Sequence, residues 1–415
     1  MMVRIPNEAE MDWLTRRAVA EIIPYGEFVK VLKSGKALRL KMGFDPSAPD
    51  LTIGHAVGLR KLRQLQEFGH TVVIIVGDWT AQIGDPSGQS KTRPMLTAEQ
   101  VKENAETYLR QFFKIVDRER CEVRWQSEWF GKFGLAEVVR LAAKFTVAQM
   151  LERADFAERF SSQKPVGVHE LLYPMLQGYD SVAVQSDVEF GGTDQKFNLM
   201  VGRELQSGAG QAPQIVFTVP LLVGTDGVKM SKSQGNYIAV EESPSEMYGK
   251  VMAIPDKLIA EYMEYVTDVP DEEIVEVRRT VEERTGNPRD AKMRLAREIV
   301  TQFHDAGAAV EAEEQFVRTF SKRELPEDLP IREVSFSTLT SEDSANGDGV
   351  RLPWLLTHLE MTASASEANR LIKQRAVEID GEVVEGARAP LRDGMVIRVG
   401  KHRFLRVVDA DGQPR

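Results

Sequence analysis

The chain has 415 residues, of which 42% are hydrophobic and 28% are charged, and its formal net charge is −10. This length allows two or three domains, and the composition is typical of a globular protein rather than a disordered or fibrous one. The first residues lack the apolar core of a signal peptide, and no apolar run approaches membrane-spanning length. A single cysteine, Cys121, excludes an internal disulfide. We therefore expect a cytoplasmic protein, and we predict no metal site.

The first part of the chain alternates between strand-like and helical patterns. Residues 37–44 alternate as a strand, residues 56–68 carry apolar side chains at helical spacing, and residues 71–78 form a nearly continuous apolar strand. A helix is predicted from Thr97 to about residue 116, because Thr97 and Gln100 fit a capping box. Residues 215–222 predict a further strand. Continuous apolar strands between amphipathic helices indicate a parallel sheet that is covered on both faces.

The pattern becomes wholly helical from about residue 243 to residue 320. Residues 335–349 are rich in Ser, Thr, Asp and Gly, which is typical of a polar linker between domains. The last segment predicts a helix over residues 366–373, a hairpin at Asp380–Gly381 and a strand over residues 395–399. Residues 365–406 carry nine basic and six acidic side chains. The tail is therefore a basic region within an acidic chain, and local charge decides contact with nucleic acid.

A candidate anion site lies where the first strand runs into a helix. The turn after Gly43 contains two prolines and two aspartates, and the helix begins near Gly54 with His55 in its first turn. Unpaired backbone N–H groups and the positive end of the helix dipole favour an anion at such a position. A Gly-His pair at a helix start is common, however, so the sequence Thr52–His55 is a weak signal by itself.

A second motif is the loop Lys229–Ser233, with sequence KMSKS, which has two lysines and two hydroxyls in a glycine-rich context. The simpler interpretation is a solvated basic loop. Lysine, however, gives a compact mobile charge that can neutralise a pyrophosphate as it leaves an α-phosphate. The two motifs together favour a nucleotide site.

Combined on an α/β frame, Thr52–His55 and Lys229–Ser233 resemble the two signature motifs of class I aminoacyl-tRNA synthetases. Residues 84–88, 173–180 and 191–195 resemble stretches of the bacterial tyrosyl-tRNA synthetases, and the resemblance runs from about residue 38 to the C-terminus. It implies a Rossmann-like parallel-sheet catalytic domain at 1–240 and an all-helical tRNA anticodon-binding domain at 241–322. After a linker at 323–350, residues 351–415 resemble a small α+β RNA-binding domain known from a ribosomal small-subunit protein.

The resemblance implies a tyrosine–tRNA ligase. The carboxylate of tyrosine would attack the α-phosphate of ATP, which gives tyrosyl-adenylate and pyrophosphate, and the terminal ribose hydroxyl of tRNA(Tyr) would then attack the adenylate. No protein nucleophile is required, so catalysis would rest on positioning and charge stabilisation. ATP would be accompanied by Mg²⁺. The family is dimeric, so a homodimer is expected.

By the same resemblance, Asp180 accepts the hydrogen bond of the substrate phenol, and Tyr173, Gln177 and Asp85 hold its ammonium group. The spacing of Tyr173, Gln177 and Asp180 puts them on one face of a helix. If that face only packed on the sheet, Gln and Asp would be unfavourable there, because burying them unpaired costs about 1–3 kcal/mol each. Two further residues complete the tyrosine side: Gln195 near the reacting carboxylate and α-phosphate, and Asp45 bordering both substrates.

On the ATP side, Asp194 resembles the ribose partner, and Gly192 allows close approach of the adenosine. Thr52, His55, Lys229 and Lys232 are expected to stabilise the transition state. The expected ATP-binding residues are Asp45, Gly54, His55, Gly192, Asp194, Lys229, Met230, Ser231, Lys232 and Ser233.

The chain departs from its family at three places. Some members have a tyrosine as a second contact to the substrate hydroxyl, where the register here gives Lys41. Thr52 replaces the first histidine of the signature, so it can donate a hydrogen bond but carries no charge. In the tail, Arg375 and Ala376 replace a Gly-Gly pair. We still expect Arg370, Lys373 and Arg375 to contact tRNA phosphates; the alternative is an ordinary charged helix.

Two other functions remain as alternatives. A tryptophan-specific relative is disfavoured by Asp180 in the pocket and by the RNA-binding tail. A non-catalytic RNA-binding regulator on a synthetase frame is disfavoured because Lys229, Lys232, Asp194 and His55 are all present.

Overall fold

A computed structural model of the chain describes residues 3–46, 50–85, 97–228, 230, 235–321, 329–342, 349–384, 386, 388–400 and 403–412. The chain forms two compact units, Met1–Glu313 and Glu314–Arg415. The helices between residue 240 and Glu313 therefore belong to the same unit as the sheet. Within the described ranges, no helix is both long and apolar enough to cross a membrane.

The first unit is built on a six-stranded sheet in the order β1-β6-β5-β2-β3-β4. Strands β2 to β6 run parallel, which confirms the predicted parallel sheet, and the short β1 pairs antiparallel with β6. Every residue of β6 is buried, as is nearly all of β3. The strands are β1 (Glu21–Ile23), β2 (Arg39–Phe44), β3 (Thr71–Val76), β4 (Cys121–Trp125), β5 (Val188–Gly192) and β6 (Ile215–Val219).

Helices cover this sheet, and the described residues between β6 and the end of the unit form helices and no further strand. The predicted capping box is present at Thr97, where α5 begins. The helices are α1 (Glu8–Arg16), α2 (Tyr25–Lys33), α3 (Ile53–Glu67), α4 (Thr80–Ile83), α5 (Ala98–Phe112), α6 (Ser127–Phe130), α7 (Leu135–Ala142), α8 (Val147–Met150), α9 (Ala154–Ser161), α10 (Val168–Val184), α11 (Lys196–Gly208), α12 (Pro244–Ala253), α13 (Ile259–Val266), α14 (Asp271–Glu283), α15 (Pro288–Phe303) and α16 (Ala306–Ser321), the last of which contains the boundary between the units.

Arg17 connects the N-terminal helix to the helical segment. Its side chain is 5% exposed, and its guanidinium donates hydrogen bonds to four backbone carbonyls in and just after α13, those of Met263, Glu264, Thr267 and Val269. These carbonyls lie at a helix C-terminus, where a cation is favoured and orphan acceptors need donors. Arg17 therefore ties the end of α1 to the end of α13 within the first unit.

The second unit has a five-stranded sheet in the order β10-β9-β12-β13-β7 and a two-stranded sheet of β11 and β8. In the predicted hairpin between β9 and β10, Asp380 and Gly381 both have positive φ angles, of 52° and 85°, as a type I′ turn requires. Its elements are β7 (Ile331–Val334), α17 (Phe336–Glu342), β8 (Val350–Arg351), α18 (Leu352–His358), α19 (Ala365–Lys373), β9 (Val377–Ile379), β10 (Glu382–Val383), β11 (Arg388–Ala389), β12 (Met395–Val399) and β13 (Arg403–Asp409).

Two of these elements, β7 and α17, fall inside the segment that the sequence predicts to be a linker. Strand β7 pairs in parallel with β13, and Leu339 of α17 is 1% exposed within the core of the unit. The described part of that segment therefore packs as part of the C-terminal unit, since apolar residues between its polar ones cover the sheet.

Candidate active site

The candidate site lies at the carboxyl end of the sheet, where β2 is flanked by β5 on one side and β3 on the other. Such a reversal of strand order opens a crevice that commonly binds ligands in α/β folds. Asp45 follows β2 directly, and Asp194 lies in the short 3₁₀ turn that follows β5. The N-terminus of α3 is reached from the same end of β2.

Backbone pairing brings the two sequence motifs together. Ile53 N–H donates to the carbonyl of Ile238 at 2.9 Å, and Val240 N–H donates to that of Leu51 at 2.9 Å. A Cβ placed on Gly54 would be 3.4 Å from Met230 Sδ, so this residue of the second motif lies against the start of α3. Lys229, Ser231, Lys232 and Ser233 lie outside the described residues.

The residues on either side of the second motif are held by polar contacts. Asp226 accepts hydrogen bonds from the Val228 N–H and from Asn236 Nδ2, both at 2.9 Å. These bonds, the backbone one foremost, lower the pKa of Asp226. Tyr262 of α13 donates to the carbonyl of Val223 at 2.6 Å. Both ends of the loop are thereby tied to structured neighbours.

Thr52 orients His55. The Thr52 N–H donates to His55 Nδ1 at 3.2 Å, and Thr52 Oγ1 lies 2.9 Å from the same nitrogen. A nitrogen that accepts from a backbone N–H carries no proton, so the neutral imidazole has its proton on Nε2. Thr52 thus sets His55 up as a hydrogen-bond donor through Nε2.

Asp180 is fixed by two donors that the sequence analysis missed. Its side chain is 2% exposed, and it accepts from Gln126 Nε2 at 2.8 Å and from Trp129 Nε1 at 3.1 Å. Burial raises the pKa of Asp180 to about 7, although the charge of Lys41 and the bond from Gln126 oppose the shift. Nothing in the residues after β4 indicates this role, because Gln and Trp at that spacing occur in many packed turns.

Lys41 is fully buried and anchors α10 to the sheet. Strand pairing places it beside Glu189 of β5, and its Nζ donates to Glu189 Oε1 at 2.8 Å. It also donates to the Gln177 carbonyl and to Ser181 Oγ, both at 2.9 Å. From its place on β2, Lys41 therefore holds α10, the helix that carries Tyr173, Gln177 and Asp180.

The Asp45 carboxylate is held by two hydroxyls. Tyr173 donates to Asp45 Oδ2 at 2.8 Å, and Thr80 Oγ1 donates to Oδ1 at 2.7 Å. Gly77 is required here, since a Cβ at that position would clash with the Asp45 carboxylate and with Thr80 Oγ1. Burial, and then the charge of Asp45, raises the pKa of Tyr173 well above its ordinary value. Tyr173 consequently remains a neutral phenol.

Asp85, Gln177 and Gln195 meet through a network of side-chain hydrogen bonds. Gln195 Nε2 donates to Asp85 Oδ2 at 2.9 Å. Asn198 Nδ2 donates both to Gln195 Oε1 at 3.0 Å and to Gln177 Oε1 at 2.9 Å. Arg153 joins the network by donating to Asn198 Oδ1 at 3.2 Å. Arg153 and Asn198 were not predicted as site residues.

Gly192 lies close to Asp194 and Leu221. A Cβ at Gly192 would be 2.7 Å from Asp194 Oδ1 and 2.7 Å from a methyl group of Leu221. Real Cβ contacts do not come so close, so any larger residue would displace the Asp194 carboxylate.

Arg370, Lys373 and Arg375 are all exposed in the second unit. The first two lie on α19, and Arg375 follows it with a φ of 57°. This left-handed conformation favours glycine, so an arginine here has an unfavourable backbone angle.

Comparison with known proteins gives a consistent result. The family model for class I tRNA synthetases (W and Y) matches residues 33–321. A tyrosine–tRNA ligase of Dehalococcoides mccartyi (strain CBDB1) is 56% identical over 97% of this chain and 99% of its own. Another, from Thermotoga maritima, is 51% identical over 95% and 96%. The crystal structure of tyrosyl-tRNA synthetase from Archaeoglobus fulgidus, complexed with L-tyrosine, shares the fold with a TM-score of 0.61 at 22% identity, covering 73% of this chain and 99% of that one.

Proposed function

The chain belongs to the class I tRNA synthetases for tryptophan and tyrosine and acts as a tyrosine–tRNA ligase, the activity of its curated relatives, and we propose that its reaction takes place in the crevice between β2 and β5. ATP, entering with its Mg²⁺, reacts at its α-phosphate with the tyrosine carboxylate. A carboxylate–phosphorus bond forms while the bond to pyrophosphate breaks. The ribose hydroxyl of tRNA(Tyr) then attacks the adenylate carbonyl and releases AMP.

The observation that carries this proposal is the pairing of residues 51–53 with residues 238–240. It puts the N-terminus of α3, with His55, beside Met230, the described residue of the second motif. A helix N-terminus favours a triphosphate whose negative charge grows during transfer, and the lysines of the second motif are proposed to add to that stabilisation. In the same site His55 Nε2, Gly54 N–H, Met230, Ser231 and Ser233 border the phosphates.

Tyrosine binds along α10. Asp180 accepts the phenolic hydrogen bond, since Gln126 and Trp129 hold its carboxylate in place. Gln177, Tyr173 and Asp85 bind the ammonium group. Asp45 and Gln195 border the reacting groups. Asp194 binds the ribose of ATP, and Gly192, which carries no Cβ, allows the adenosine to approach the backbone closely.

Replacing Lys232 with alanine should slow adenylate formation by about 10²- to 10³-fold, the effect of removing one preorganised transition-state donor. Tyrosine affinity should stay within about twofold, because the lysine acts on the departing pyrophosphate. Rapid-mixing measurement of adenylate formation and equilibrium dialysis with tyrosine separate the two effects. Lys257→Ala, at an exposed lysine outside the loop, is the matched control. A large loss of tyrosine affinity in Lys232→Ala would mean that the loop serves another purpose.

The RNA contacts are proposed for the parts of the chain beyond the sheet. Residues 241–322 form the anticodon-binding region, and Arg370, Lys373 and Arg375 contact tRNA phosphates. Support comes from the exposure of all three side chains and from the net positive charge of residues 365–406. The enzyme works in the cytoplasm, where it meets tRNA and ATP.

We also propose that the enzyme is a homodimer. Five large apolar side chains are strongly exposed on α7 to α10 of the first unit, with exposures of 57% to 80%: Leu135, Val139, Val147, Phe160 and Val168. Soluble monomers rarely leave such a group uncovered, and homodimer interfaces are rich in apolar residues.

In sedimentation equilibrium, the wild type should have twice the mass of the chain, and Val139→Glu should shift it to the monomer. Burial of a charge in an apolar interface is unfavourable, which gives the direction of the effect. Val275→Glu changes an equally apolar residue, 66% exposed on α14, and should leave the dimer intact. A wild type that is monomeric at micromolar concentration would refute the dimer.

A further inference from the structure

Arg153 is a buried arginine beside the amino-acid side of the site. Its side chain is 4% exposed, it precedes α9, and its guanidinium lies 4.8 Å from the ring centre of Phe156. Arg153 Nε donates to Asp155 at 2.8 Å, and one terminal nitrogen lies 3.6 Å from Asp85 Oδ1. A buried arginine held on several sides keeps its orientation.

This arginine decides how the neighbouring amides are turned. A guanidinium only donates hydrogen bonds, so the atom of Asn198 that faces Arg153 at 3.2 Å must be Oδ1. Asn198 Nδ2 then points the other way and donates to Gln177 Oε1 and to Gln195 Oε1. Gln195 in turn directs its Nε2 at Asp85. Four side chains thus form a closed ring, and Gln177 is attached to it.

The resulting arrangement of hydrogen-bond donors and acceptors matches a zwitterionic amino acid. An ammonium group needs acceptors, and the Gln177 carbonyl oxygen and the Asp85 carboxylate both belong to this network. A carboxylate needs donors, and the amide of Gln195 directs its donor side, Nε2, toward Asp85. If the Asn198 amide were reversed, its NH₂ would face the guanidinium, where it would find no acceptor. Its oxygen would then face the two glutamines, and each glutamine would have to turn its NH₂ group toward Asn198.

We propose that Arg153 is a positioning residue for amino-acid recognition, which fixes Asn198 and through it the amide orientation of Gln177 and Gln195. The inference rests on the proposed function, because it takes Gln177 and Asp85 as the ammonium partners. Arg153 itself touches neither substrate in this account. Its effect should therefore depend on whether the ligand carries an ammonium group.

The test compares Arg153→Met and Asn198→Asp with the wild type by equilibrium binding of tyrosine and of 3-(4-hydroxyphenyl)propionate, which lacks the ammonium group. Each variant should bind tyrosine about 10- to 100-fold more weakly, the range for hydrogen bonds to charged groups. The deaminated ligand should change by less than about threefold, as should the KM for ATP. Arg153→Lys keeps the charge and a donor, so it should restore part of the tyrosine affinity.

Arg140→Met is the matched control, since Arg140 is 72% exposed on α7, and it should change neither ligand. An equal loss for both ligands in Arg153→Met and Asn198→Asp would show a merely structural role and overturn the inference, as would no loss for either. Asp85→Asn separates the two proposals. If it leaves the preference for tyrosine over the deaminated ligand intact, the proposed ammonium site is wrong; if it removes that preference while Asn198→Asp does not, only the positioning role fails.

Discussion

Replacing Lys41 with methionine should lower the free energy of unfolding by about 3–5 kcal/mol, the cost of leaving a buried charge without its partner. Lys41 and Glu189 are 0% and 1% exposed in their side chains, and Glu189 also accepts from Ser181 Oγ at 3.0 Å and from Gln214. In the variant, the Glu189 carboxylate keeps two neutral donors and loses its only ammonium partner among the described contacts. Chemical denaturation at pH 7.5 measures the loss.

Two further variants identify the cause of that loss. Lys41→Met/Glu189→Gln should recover most of the stability, because the amide is neutral and can still accept from Ser181. Lys36→Met removes an exposed lysine that pairs with Asp187 and should cost less than about 1 kcal/mol. A Lys41→Met protein as stable as the Lys36 variant would show that the buried pair contributes nothing to the fold.

Replacing Asp180 with asparagine should change stability in a pH-dependent way. Burial raises the folded pKa of Asp180 from 3.8 to about 7, so between these values the folded protein holds a proton that the unfolded chain has released. The group therefore stabilises the fold at low pH, and this stability is lost as pH rises through about 7, at roughly 1.4 kcal/mol per pH unit. Asparagine stays neutral, so the gain of the variant over the wild type should be about 2–3 kcal/mol larger at pH 8 than at pH 5.

The same substitution should impair tyrosine recognition. Loss of a charged acceptor is worth about 1.5–3 kcal/mol, so kcat/KM for tyrosine should fall by about 10- to 100-fold, and the preference over phenylalanine should fall with it. In the wild type, kcat/KM should decline below pH 7 as Asp180 is protonated, since this ratio reports the free enzyme. A stability difference that is equal at pH 5 and pH 8, with a flat kcat/KM profile, would contradict this account of Asp180.

The sheet was predictable because its strands are continuous apolar runs, as in residues 71–78, which form β3 except at their end. The type I′ hairpin at Asp380 was predictable from its turn residues. Strand β1 was not, since three residues show no period, and it forms through its pairing with β6. The linker was predicted too long because its polar composition hides the apolar residues, such as Leu339, that pack into the core.

Within the proposed site, His55, Asp180 and Asp194 were predicted because they lie within recognised motifs. The residues that orient them were not, because their roles come from contacts across the chain: Gln126 and Trp129 on Asp180, Lys41 on α10, and Arg153 on Asn198. Lysine and arginine are usually exposed, so only the folded chain reveals that Lys41 and Arg153 are buried.

The most direct test of the central claim is amino-acid-dependent exchange of labelled pyrophosphate into ATP by the wild-type chain. We predict exchange with tyrosine and little with phenylalanine or tryptophan. The reason is that the proposed role of the fixed Asp180 carboxylate is to accept a hydrogen bond from a phenol. Exchange with tryptophan but not tyrosine would contradict the assigned specificity. No exchange with any amino acid would contradict the enzyme itself and favour an RNA-binding protein on a synthetase frame.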